Sequence, residues 1–147
     1  MRISSLKKMI QASGLVLGLG LSGIAQSTTL APLSTEQLVD ASDYIVRGTV
    51  TQVWTTRDSD GRIWTRAQFE VERTFKGQPD AGLVIDQAGG SLSGVTTRVG
   101  GAARFSPGEE AVLFLEELDS GHLVTVGMFQ GKYTVQLDPH TRDFVVH

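Results

Sequence analysis

The chain has 147 residues, 17 glycines, four prolines, no cysteine and a formal net charge of −3. That balance excludes a disulfide scaffold, a Cys-ligated zinc or iron–sulfur site, a collagen repeat and a basic nucleic-acid binder. With 40% apolar and 20% charged residues, the composition is that of an ordinary globular chain rather than a disordered one.

Residues 1–27 read as an address. Arg2, Lys7 and Lys8 stand at a positive start, an apolar run follows from Leu15 to Ile24, and Ala25-Gln26-Ser27 places small residues at the −3 and −1 positions of a signal-peptidase site. The run is shorter than the ~20 apolar residues a membrane-spanning helix needs. A cut after Ser27 removes three of the 13 basic residues and none of the 16 acidic ones, leaving a mature chain, 28–147, at −6. The expectation is a secreted or periplasmic, monomeric single β-barrel domain with no transmembrane segment after cleavage. Its negative charge repels phosphate backbones and disfavours nucleic acid as a partner.

After the lead-in Thr28–Leu33, the stretch Leu33-Ser34-Thr35-Glu36-Gln37-Leu38 combines a capping box (Ser34, Gln37) with a hydrophobic staple (Leu33, Leu38). It predicts one short helix over about Thr35–Ser42. Beyond Asp43 the apolar period becomes two. Val and Thr, which suit a pleated surface, supply 14 residues each of the mature chain. Strands are predicted at about Tyr44–Arg57, Arg62–Phe75, Leu83–Gln87, Glu110–Glu116, His122–Val126, Lys132–Leu137 and Asp143–Val146, with turn signals between them. The fold class is all-β with one short N-terminal helix, a small antiparallel β-barrel.

The first hairpin fixes its own register. Ala67, Phe69, Val71 and Phe75 alternate with Arg66, Gln68, Glu70 and Glu72, so one face is dry. Val46, Gly48 and Val50 share one parity and Val53 has the other, which predicts a β-bulge near Thr51–Gln52. A turn at Ser59-Asp60-Gly61 pairs Asp58 with Arg62, and Gly61 supplies positive φ. Val53 then faces Ala67, Val50 faces Phe69, and Gly48 faces Val71. The same register sets Trp54 opposite Arg66 with Trp64 diagonally beside it, both indoles on the face away from Phe69. Left bare, they form a docking surface for a sugar ring or a partner protein; covered, they form a second small core.

The stretch Ala41–Val50, the segment Val71 to Phe75-Lys76-Gly77, then Gly89-Gly90, Phe105–Leu115 and Gly127–Tyr133 together resemble a secreted bacterial β-domain. That domain stands alone, or precedes a matrixin-like metalloprotease. The same order is similar to the OB-like barrel of netrin-like inhibitor modules, which carry cysteines that this chain lacks. The resemblance covers Leu38–Lys132 and brings no catalytic residues with it.

Chemistry-bearing patterns are sparse. His122, His140 and His147 have no metalloprotease spacing and read as scattered solvated side chains. Asp58-Ser59-Asp60-Gly61 lacks the later ligands of a calcium loop, and no metal or cofactor is expected. Gly90-Ser91-Leu92-Ser93-Gly94 has Leu at its centre and is not a nucleophile elbow. The adjacent acids Glu109-Glu110 and Glu116-Glu117 point to opposite faces; solvated charge, or one Glu bonded to a turn, accounts for them. Lys76 and Lys132, each beside a glycine at a strand end, read as turn residues paired with an acid. Ala88–Arg104 is long for an irregular connection. It either presents Ser91, Ser93, Thr96, Thr97 and Arg98 to a ligand or forms a short strand at Val95–Val99 between glycine turns.

These observations predict an exported, non-enzymatic β-domain that binds a protein, glycan or envelope partner. The contacts are Trp54, Trp64 and Arg66, or Ser91, Ser93 and Arg98. The alternatives are a protease-inhibitor-like module, which needs a projecting loop or free amino terminus, and a small hydrolase, which needs His122 beside Asp86 and Ser91 in one cleft.

Overall fold

The structure, a computed structural model, describes residues 30–141 and 144–147. The signal-peptide reading of 1–27 and the residue Asp143 lie outside them. Helix α1 (Thr35–Ala41) starts at the predicted cap: Ser34 Oγ accepts from Gln37 N–H and Gln37 Oε1 accepts from Ser34 N–H, at 3.3 and 2.8 Å. Leu33 and the fully buried Leu38 pack with Ile45, Phe114 and Val126, as the staple requires. The helix stops at Ser42, whose hydroxyl donates to Leu38 O.

Among the described residues nine strands follow: β1 (Tyr44–Arg57), β2 (Ile63–Lys76), β3 (Gly82–Ala88), β4 (Gly90–Leu92), β5 (Val95–Thr97), β6 (Glu110–Glu117), β7 (Leu123–Thr125), β8 (Lys132–Leu137) and β9 (Phe144–Val146). A short 3-10 turn, Met128–Gly131, links β7 to β8. All pairings are antiparallel. The main sheet runs β3-β2-β1-β6-β8-β9, with β7 also on β6. The all-β class with one helix therefore holds. The closed barrel does not: among the described residues β3 bonds only to β2 and β7 only to β6. The sheet curls until β7 lies alongside β3, but no ladder crosses that seam.

The β1–β2 ribbon has the predicted register. Val53 faces Ala67, Val50 faces Phe69 and Gly48 faces Val71, while Thr51 is the extra residue between the pairs Val50–Phe69 and Gln52–Gln68. The bulge turns Val46, Val50 and Val53 to one side, where they join Phe69, Ile85, Leu113 and Leu115 in the core. Two further irregularities fall near the other end of the ribbon, where Glu72 and Phe75 have no partner in the ladder. They correct one expectation. The extra residue at Glu72 reverses parity, so Phe75 is 53% exposed and stacks under Arg73 instead of joining the dry face. Gly48 is where the ribbon is tightest: a Cβ there would collide with the Glu70 carbonyl and the Phe69 ring.

Of the two strand-end lysines, Lys132 pairs with Glu109 at 2.5 Å, whereas Lys76 donates to the Val39 carbonyl at the end of α1 and not to an acid. Glu109 also accepts from Ser106 N–H, the bond to a turn that its position suggested.

Candidate functional site

The outward face of the ribbon carries a row of side chains set by register alone. Trp54 lies opposite Arg66 across β1–β2, and Arg66 lies opposite Asp86 across β2–β3. Arg66 Nε stands 3.0 Å from Asp86 Oδ1, as an ion pair rather than an aligned hydrogen bond. Asp86 is 5% exposed. A carboxylate so buried needs partners, and its second one comes from across the seam. His122, in the turn before β7, sets Nδ1 at 2.7 Å from Asp86 Oδ2. An ionised carboxylate only accepts, so Nδ1 carries the hydrogen of that bond. The imidazole lies flat on Trp64, with centroids 4.0 Å apart and planes inclined by 16°.

Trp64 is fixed at its other end as well. Its indole N–H donates to Asp58 Oδ2 at 2.9 Å. The Asp58 carboxylate also accepts from the Arg62 amide and guanidinium, closing the β1–β2 turn. The indole hydrogen bond first, and the Arg62 contacts with it, hold Asp58 well below the usual carboxylate range against the opposing effect of desolvation. The turn is the predicted one: Asp58 N–H donates to Arg62 O, and Gly61 has φ of 81°. Both acids of the calcium-like tetrad bind Arg62. Among the described residues no group of three or more His, Cys, Asp or Glu side chains is placed to hold a metal.

Of the two readings of the indole pair, the covered one describes Trp64, and neither describes Trp54 in full. Trp64 is buried at 9%, covered by His122 and anchored by Asp58, while Trp54 is half-buried. Arg66 is tied to Asp86. His122 is likewise not a solvated side chain, since it is the bridge over the seam. Parity alone could not reveal this, because nothing in the local pattern says that a turn 36 positions away returns to β3. The acid Asp86, set directly after the apolar run Leu83–Ile85, was the available signal.

The second group of candidates forms a hairpin. β4 and β5 pair through the two-residue turn Ser93-Gly94, both with positive φ (50° and 79°), the geometry that follows strand twist. The extra strand at Val95 thus exists, and it ends at Thr97. Ser91, Ser93 and Arg98 are exposed, and Val95 is 51% exposed. Ser91 Oγ bonds to Thr96 Oγ1 at 2.8 Å. The hairpin stands on the ribbon: Thr65 Oγ1 donates to Gly89 O, and a Cβ on Gly90 would meet Thr65 Oγ1 at 2.5 Å. Thr55 and Thr65 are the sequence neighbours of Trp54, Trp64 and Arg66, with side chains on the opposite face. All six candidate residues are therefore gathered at one end of the ribbon, but on two faces. His122 and Asp86 meet as a hydrolase would need, while Ser91 belongs to the other face and its hydroxyl is engaged with Thr96.

No family model matches the chain, and no curated protein or solved structure matches it. Among the described residues no helix is long and apolar enough to cross a membrane.

Proposed function

We propose that the protein is an exported, non-enzymatic binding module that meets a protein or envelope partner with the ribbon end formed by Trp54 and the β4–β5 hairpin. One observation carries this reading: a hairpin bonded to the ribbon at its foot presents Ser91, Ser93, Val95 and Arg98 to solvent. Strands that stand clear of a sheet with exposed hydroxyls, an apolar side chain and a guanidinium offer a partner both hydrogen bonds and buried area. Arg98 makes no ion pair among the described residues, so its charge is available for recognition.

The projecting hairpin also supports the protease-inhibitor-like alternative, in which that hairpin enters a protease cleft. The strand order supports an OB-like reading short of closure, because β6 joins β1 and the β6–β7 hairpin returns toward β3. The hydrolase alternative rests on the Asp86–His122 pair alone. A photo-crosslinking residue at Ser93 tests the binding reading in extracts of the producing cells. One discrete adduct is expected, and it should be lost in the Trp54→Ala, Arg98→Ala double variant. Labelling that is diffuse, or unchanged in that variant, refutes the reading.

A further inference from the structure

The segment 30–33 ahead of α1 does not run free over the surface. The side-chain amide of Gln130, in the 3-10 turn, grips its backbone twice: Oε1 accepts from Leu33 N–H at 2.7 Å and Nε2 donates to Ala31 O at 3.2 Å. Two bonds from one amide to alternate residues of an extended chain read the main chain whatever its side chains. Sequence specificity comes from two glycines. Leu30, 41% exposed, lies over Gly101, and Leu33, which also packs on the Leu38 cluster, lies over Gly127; a Cβ on these glycines would come within 2.6 and 2.5 Å of the respective leucine Cδ1. Both glycines have positive φ, at 77° and 60°, so the floor of each seat is bare backbone. Phe129, itself 54% exposed, flanks the first seat and its N–H donates to Gly101 O. Pro32, between the leucines, keeps the segment extended.

We propose that the groove between Gly101 and Gly127 is a recognition site for extended Leu-Xaa-Pro-Leu segments of a protein partner, held shut in the resting molecule by the chain's own Leu30–Leu33. The seated segment is itself the evidence for the ligand's chemistry: leucines three residues apart, a proline between them and a main chain free to meet one amide. Tethering sets the threshold. A strap joined directly to α1 competes at an effective concentration in the millimolar range. A free peptide of the same sequence therefore half-displaces it at roughly millimolar concentration, and a partner must exceed the strap's own affinity or be held nearby.

The chain has no cysteine, so a nitroxide on Ala31→Cys in the full chain reports the strap alone. The resting spectrum should be immobilised. Free Thr-Leu-Ala-Pro-Leu-Ser should convert it to a mobile one, saturably, with a midpoint at roughly millimolar, while the same peptide with both leucines replaced by serine leaves it unchanged. Gln130→Ala should raise the mobile fraction without peptide. A label that is mobile at rest overturns the proposal. So does one that stays immobile up to about 10 mM peptide, whatever Gln130→Ala does, because the strap would then be a structural element and not a ligand in place.

Discussion

The β1–β2 ribbon and the β3/β7 seam solve the same problem, holding two strand edges together, in opposite ways. In the ribbon the backbone does it: two 14-residue strands pair along their length, and an extra residue at Thr51 keeps the apolar set inward. At the seam the backbone does nothing, and side chains span the gap. Asp86 receives His122 on the outside, and inside Leu83 and Leu123 pack with the main core and line a cleft of about 220 Å³. The contrast separates two kinds of cohesion. A ladder is repetitive and tolerates the loss of one bond, whereas a contact built from one buried carboxylate and one imidazole depends on each partner.

Deleting Thr51 should have the largest effect. Without the extra residue, the strand on one side of the bulge presents its valines to solvent. The loss should be about 5 kcal/mol or more, enough to abolish a cooperative transition in a domain of ordinary stability; a denaturant melt that stayed sigmoidal with an unchanged midpoint would break the comparison. Asp86→Asn comes next, at about 2 kcal/mol, because it leaves Arg66 without a counter-charge and weakens the His122 bond. Hydrogen exchange should accelerate in 118–126 before the ribbon is affected, and uniform acceleration would show that seam and ribbon open as one unit.

Asp58→Asn probes the turn end of the ribbon through pH. The folded carboxyl titrates below its unfolded value, so its contribution to stability is present above about pH 4 and is lost as pH falls through the folded value. The stability gap between wild type and Asp58→Asn should therefore close on acidification, and a gap constant from pH 7 to 2 would contradict the role of the Trp64 and Arg62 contacts. Trp54→Ala should matter least to folding, at about 1 kcal/mol, since the ring is half-buried on the outward face. A loss several times larger would place Trp54 in the core and remove it from the recognition surface.

What could be read from the sequence follows the same division. The parity conflict between Val50 and Val53 gave the bulge, the register and the turn, because alternation is a local property. The capping box gave the helix for the same reason. Phe75 was misplaced because a second extra residue, Glu72, leaves no parity conflict among apolar residues to betray it. His122 was misplaced, and Trp64 was left open between bare and covered, because their burial depends on a turn returning across the sheet, and that is decided by curvature rather than by periodicity. The hairpin at Ser93-Gly94 was half-visible: its glycines marked turns, but three-residue strands carry too few residues to show alternation.

The unpaired border of β3 has one further consequence. On the side away from β2, seven residues of strand without a ladder partner invite another chain to add on, and Leu83, Val84 and Ile85 are the kind of residues that stack into fibrils. Asp86 interrupts that run. An intruding strand would have to bury the Asp86 carboxylate with Arg66 alone, leaving Oδ2 without the His122 bond in a dry interface. The residue that fastens the seam thus also guards solubility, and a variant that neutralises it should be watched for turbidity as closely as for unfolding.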